Sequence, residues 1–185
     1  PEIFKEQIRN AMNELINLDF IAPLDSAPPV LREILQVNEV HHYHIWRAVL
    51  KDSMSTPCRL VVDPSSTMLN LILAKGDQGL PDMFGILLRS RSLPLIFCAD
   101  VKKLYNQMFL EPECIPYSLL LYHDSLQPNK EPQVFYMKRG WYGLRPTGNQ
   151  AGVVFQQAGR DHILSHPIGA HILMNVSFVD DLNSG

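Results

Sequence analysis

Cysteine is scarce in this chain of 185 residues: Cys58, Cys98 and Cys114 are the only three, and no two stand at CxxC spacing. That argues against a disulfide framework or a thiolate zinc site and points to a reducing, intracellular, cytoplasmic setting. Long apolar runs are missing as well. No stretch approaches the roughly 20 residues of a membrane span, and no basic segment followed by an apolar one opens the chain, so neither membrane insertion nor secretion is supported. Positive charge is also in short supply. Sixteen Lys and Arg against nineteen Asp and Glu leave a formal net charge of −3, which argues against a protein that holds nucleic acid by bulk attraction. What remains is ordinary for a globular chain, with 46% apolar and 19% charged residues, enough for one domain or two small subdomains.

Against this background two acidic positions stand out. Asn175-Val176-Ser177-Phe178-Val179 is an apolar, β-branched run that meets Asp180-Asp181 and then the polar Asn183-Ser184, the pattern of a strand that turns at its acids. Neighbouring side chains of a straight strand point to opposite faces, so two adjacent acids cooperate only where the strand bends. Such a concentration of like charge needs a cation, and oxygen ligands of this kind suit Mg²⁺. A third acid ends the apolar run Pro94-Leu95-Ile96-Phe97-Cys98-Ala99-Asp100, about 80 residues earlier. Two buried strands lying side by side, each ending in Asp, would hold two ions between them, an arrangement that clamps both oxygens of an in-line phosphoryl transfer. Taken alone, Val179-Asp180-Asp181 reads first as a hairpin with acidic turn residues.

Other segments follow in order. Phe4, Ile8, Met12 and Leu15 recur at helical spacing over residues 2 to 18, and Pro23, Pro28 and Pro29 break the pattern. Ile34–Val37 and Tyr43–Leu50 read as strands or irregular segments. His41, His42 and His44, like His162, His166 and His171, lack partners at ligand spacing and read as solvated surface residues. Lys51 and Arg59 flank a polar turn within 49–63, and a hairpin presenting them is either a triphosphate clamp or an ordinary exposed hairpin. Leu80, Met83, Phe84, Leu87 and Leu88 form an apolar helical stripe after Pro81 that ends at Arg89 and Arg91 and is expected to pack on a sheet. Residues 117–123 and 133–138 alternate around a Pro- and Asn-rich loop, as in a β-hairpin. The run 140–150 carries Gly140, Gly143 and Gly148, which permit close backbone approach, and a helix is expected over 151–158.

Phe178-Val179-Asp180-Asp181 resembles the aromatic-x-Asp-Asp motif of reverse transcriptases, and Ala99-Asp100-Val101-Lys102-Lys103-Leu104-Tyr105 resembles their first catalytic motif. Through Ser55-Thr56-Pro57-Cys58-Arg59-Leu60-Val61-Val62-Asp63, Leu69-Asn70, Leu87-Leu88-Arg89-Ser90-Arg91 and Tyr142-Gly143, the chain is similar in particular to those of BEL/Pao-type LTR retrotransposons. The likeness runs in one order from about Glu2 to the last residue. It departs from the family at Ile45-Trp46-Arg47, where relatives have Pro-His-His, and at Thr147-Gly148, where many have Ser-Pro.

The resemblance implies an α+β polymerase right-hand fold: an antiparallel palm sheet backed by helices, mainly in 93–185, and a fingers subdomain, mainly in 1–92, with the thumb and RNase H absent. It implies RNA-directed DNA polymerisation on an RNA or DNA template with a primer and deoxynucleoside triphosphates. Asp100, Asp180 and Asp181 would be catalytic and, with the Val101 backbone, would hold two Mg²⁺ ions, Mn²⁺ being an alternative. Arg59 first and Lys51 second would meet the incoming phosphates. Gly143 would line the nucleotide and template, Arg145 would touch a phosphate there, Tyr105 would lie under the sugar, and Asp63 would be a structural residue of the fingers. The alternatives are an inactive nucleic-acid-binding relic of such an element and another palm-type enzyme such as a nucleotide cyclase.

Overall fold

The helix implied by the spacing of Phe4, Ile8, Met12 and Leu15 forms as α1 (Glu2–Asn17) in the computed structural model, which describes residues 2–52, 57–76, 82–91, 95–178 and 181–184, with 89, 90 and 181–184 described by their backbone alone. There follow β1 (Ile21–Pro23), α2 (Pro29–Val37), β2 (Tyr43–His44), β3 (Trp46–Leu50), β4 (Cys58–Val62), α3 (Leu69–Ile72), α4 (Met83–Arg91) and β5 (Phe97–Asp100). The second half adds β6 (Leu119–Tyr122), β7 (Gln133–Met137), α5 (Thr147–His162), α6 (Pro167–Asn175), β8 (Ser177–Phe178) and β9 (Asp181–Ser184). The architecture is α+β, with one four-stranded mixed sheet, one two-stranded ribbon and one three-stranded antiparallel sheet.

Two units divide the chain, one of residues 1–72 and 108–144, the other of 73–107 and 145–185. They interleave in sequence, unlike the contiguous segments 1–92 and 93–185, because strand pairing is non-local. In unit 1, β7 pairs with β1 and β6 with β2, in the order β1-β7-β6-β2, which draws 108–144 to the N-terminal segment. In unit 2, β5 pairs with β9.

The core of unit 1 follows from the apolar pattern. Met12 of α1 packs with Phe20, Ile21, Val62, Leu120, Phe135, Met137 and Trp141. A second cluster joins Leu31 and Leu35 of α2 to Ala27, Ile115, Leu119 and Tyr136. The strand or irregular segment read over Ile34–Val37 is in fact the end of α2. Pro29 stands in its first turn, Leu31 and Leu35 are one helical turn apart on its inner face, and the Asn38 N–H and side-chain amide both donate to the Ile34 carbonyl.

Unit 2 departs further from expectation. Helix α4 forms, but Met83, Phe84, Leu87 and Leu88 of the apolar stripe are exposed, and Ile86 between them is the buried residue. Leu80 and Pro81 lie outside the described residues. Strand β5 is not buried either: Phe97 is 67% exposed, and Cys98 and Asp100 are exposed. Helix α6 was not anticipated; it packs on α5 at Gly159, where a Cβ would stand 2.5 Å from Met174 Cγ and 3.0 Å from the Ala170 carbonyl.

The histidines include one surprise. His44 is 4% exposed in unit 1, not solvated. Neither ring nitrogen makes a full hydrogen bond to a described residue, and its ring meets His42 edge-on at 4.8 Å between centroids. Burial first, then the charge of His42, lowers its pKa to about 4, against a weaker opposing pull from the Tyr117 backbone. In the unfolded chain the value returns to about 6.5. A folded pKa below the unfolded one means that acid favours unfolding, so stability should fall as pH drops from about 6.5 to about 4, by up to about 3 kcal/mol. Urea unfolding of the chain against pH tests this, and His44→Leu should flatten the slope across that window.

Candidate active site

Asp100 closes β5, and the backbone places it. β5 and β9 run antiparallel with Phe97 opposite Ser184, Cys98 opposite Asn183, Ala99 opposite Leu182 and Asp100 opposite Asp181. β9 in turn pairs with β8, with Phe178 opposite Asp181. The sheet order β5-β9-β8 therefore sets Asp181 between Phe178 and Asp100, at one end of the sheet. The two strands expected side by side, β5 and the apolar run that ends in β8, are instead separated by β9, because β9 pairs with both; Val179 and Asp180, and with them the expected turn at the acids, lie outside the described residues.

Past Asp100 and Val101 the chain turns sharply. Lys103 adopts φ 54°, in the left-handed region, and its carbonyl accepts from the Asn106 N–H at 2.9 Å. A short 3₁₀ turn over Leu104–Gln107 follows and carries Tyr105, which is half-buried. The Tyr105 hydroxyl stands at the first turn of α5, 3.8 Å from where a Cβ on Gly148 would be. Helix α5 starts at Thr147, four residues before the expected 151, and buries Thr147 and Asn149 in that turn. Asn149 donates to the Lys75 carbonyl at 2.8 Å, which ties residue 75 to the helix across the unit's two segments. Arg145, just before α5, is exposed.

The remaining candidates belong to unit 1. The expected hairpin is present: β3 and β4 are antiparallel, Val49 faces Arg59, and the Lys51 N–H donates to the Pro57 carbonyl at 2.9 Å; residues 53–56 of its turn lie outside the described residues. Lys51 and Arg59 are exposed and make no side-chain hydrogen bond or ion pair with a described residue. Asp63 fills its structural part: one carboxylate oxygen accepts from Arg47 at 2.8 Å and the other from the Ser66 N–H at 3.1 Å. Gly143 is fixed from several sides. Its φ is +95°, an added Cβ would stand 3.2 Å from the Val62 carbonyl and 3.3 Å from Pro64 Cδ, and its own carbonyl accepts from Asn70 at 2.8 Å.

The structure thus joins Asp100 with Asp181, and Tyr105 with the start of α5, all in unit 2; Lys51, Arg59 and Gly143 are in unit 1. Asn70 and Asn149 received no role from the sequence. Both hold backbone carbonyls across long sequence separations, and no local pattern around either asparagine announces that task.

Carboxylate oxygens are the donor type that Mg²⁺ and Mn²⁺ take, so Asp100, Asp180 and Asp181 fit such ions by chemistry. Among the described residues, no group of three His, Cys, Asp or Glu could hold a metal. Likewise, no described helix is long and apolar enough to cross a membrane. Compared with known proteins, the chain matches no family model and no curated protein.

Gly143→Ala should destabilise unit 1 by about 1–3 kcal/mol, since it forces a side chain into the left-handed region against Val62 and Pro64. Asn70→Ala removes the side-chain bonds to the Gly143 carbonyl and the Ser65 hydroxyl and should cost about 1 kcal/mol. Thermal melts of the two variants against the parent chain check both values.

Proposed function

We propose that the chain is the fingers and palm portion of an RNA-directed DNA polymerase of retrotransposon type, with a right-hand fold. The observation that carries this reading is the β5-β9-β8 register, which sets Asp100 and Asp181 opposite one another beside Phe178. Like charges directly opposite in a strand pair are mildly destabilising, and a bound cation would relieve that. The substrates are a template, a primer 3′ end and a deoxynucleoside triphosphate. In the reaction the primer hydroxyl displaces pyrophosphate from the α-phosphorus, with the new P–O bond in line with the breaking one.

Asp100, Asp180 and Asp181, with the Val101 carbonyl, would hold two Mg²⁺ or Mn²⁺ ions, which when bound supply charge neutralisation and a lower pKa for the primer hydroxyl. Arg59, by forked hydrogen bonds, and Lys51, as a point charge, bind the triphosphate. Gly143 lines the nucleotide and the template strand, and Arg145 touches a phosphate there. No side chain is needed as a dedicated general base. The half-buried Tyr105 ring takes the place under the sugar and rejects a 2′-hydroxyl by collision.

Primer extension on an RNA template, using the polypeptide of the full reading frame, tests the assignment. Asp100→Asn and Asp180→Asn should each abolish Mg²⁺-dependent addition, and activity near the parent level in either variant would sink it. Asp181→Asn should be milder.

Tyr105 gives a separate test. Tyr105→Val or Tyr105→Ala should raise ribonucleotide relative to deoxynucleotide incorporation while deoxynucleotide addition persists. A packing role alone predicts an unchanged ratio and a lowered melting temperature, with a loss below the about 3–5 kcal/mol of a fully buried aromatic.

A further inference from the structure

Unit 1 carries a cleft that none of the candidate active-site residues lines. It lies between α1 and the connection from β6 to β7, with a volume of about 300 Å³, at the small end of the range for small-molecule sites. Its floor is apolar, from Met12, Ile16 and Phe135. Tyr122 adds an aromatic wall, half-buried and edge-on to Phe135 at 6.2 Å between ring centroids.

The rim has a particular chemistry. Three carboxamides border it, those of Asn13, Gln127 and Gln133, and none makes a side-chain hydrogen bond with a described residue. A carboxamide presents a donor and an acceptor side by side, the pattern that matches the edge of a nucleobase. Asn13 stands on α1 and Gln133 on β7, and the connection that bears Gln127 is held by local bonds: the Asp124 carboxylate accepts from the Leu126 N–H at 3.0 Å, and the Gln127 N–H donates to the Asp124 carbonyl at 2.8 Å.

Charge limits the size of the ligand. Arg9 is committed to Asp124 by an ion pair of 2.8 Å. Lys130 acts on Asp124 only through space and keeps its hydrogen-bond donors, while Glu131 beside it opposes a chain of phosphates. One cation with one nearby acid suits a single phosphate and not a triphosphate.

We propose that this cleft binds one nucleotide unit, its base held by the carboxamides over the apolar floor and its phosphate by Lys130. The unit is either a free nucleoside monophosphate or one residue of a single strand. The proposal stands apart from the polymerase reading, because the cleft is built from unit 1 residues alone and contains none of the three catalytic acids.

The test is an NMR titration of the chain with AMP and with a short single-stranded oligoadenylate, in EDTA so that no carboxylate-held cation takes part. Side-chain amide signals of Asn13, Gln127 and Gln133 should shift, and Gln127→Ala and Lys130→Ala should each weaken binding by about tenfold. Both variants alter exposed side chains that make no hydrogen bond to a described residue, so their spectra away from the cleft should be unchanged. Saturation by AMP identifies a free nucleotide, and saturation by the oligonucleotide alone identifies a strand. The absence of shifts up to about 5 mM of either probe, or an unchanged affinity in Gln127→Ala, overturns the proposal. Because EDTA keeps the catalytic acids without their ions, such a failure leaves the polymerase reading untouched.

Discussion

The antiparallel ladder between β5 and β9 is the constraint on which the reading of this protein depends. Two segments far apart in sequence are brought into one register by backbone hydrogen bonds, and that register sets Asp100 opposite Asp181. Acids opposed in this way are ordinarily selected against in a sheet, because like charges across a strand pair are destabilising. At that end of the sheet β9 also meets β8, with Phe178 opposite Asp181. The same ladder accounts for unit 2 as a unit, since it joins 73–107 to 145–185.

Backbone carbonyls held by side-chain amides form a second layer of organisation. Asn70 grips Gly143, and Asn149 grips residue 75. Each bond is worth about 1 kcal/mol. Glycine is what allows the first grip: the +95° φ and the close approach of Val62 and Pro64 disfavour a side chain at 143. Precision here comes from polar contacts on main chain, not from the apolar clusters that hold unit 1 together.

The outer surface of unit 2 has a different character. Met83, Phe84, Leu87 and Leu88 on α4 and Phe97 on β5 are exposed. A helix with an apolar stripe ordinarily turns it inward; among the described side chains of α4, Ile86 is the buried one. The periodicity that announces a helix does not say what that helix packs against.

Local signals in the sequence determined a good part of this protein. The spacing of Phe4, Ile8, Met12 and Leu15 specified α1, the alternation around 124–132 specified the β6–β7 pair, and the polar turn between two apolar runs specified the β3–β4 hairpin. Each rests on contacts within or between neighbouring segments, which side-chain periodicity encodes. The apolar run meeting Asp100 marked the strand end where that acid stands. What only the tertiary structure decided is long-range: that β5 lies against β9, that 108–144 joins the N-terminal segment, that His44 is buried and that the α4 stripe is not. It also decided that Ile34–Val37 is helix, because the packing of Leu31 and Leu35 on Ile115, Leu119 and Tyr136 outweighs the strand preference of branched residues. Burial depends on which distant surfaces meet, and a single sequence carries no record of that meeting.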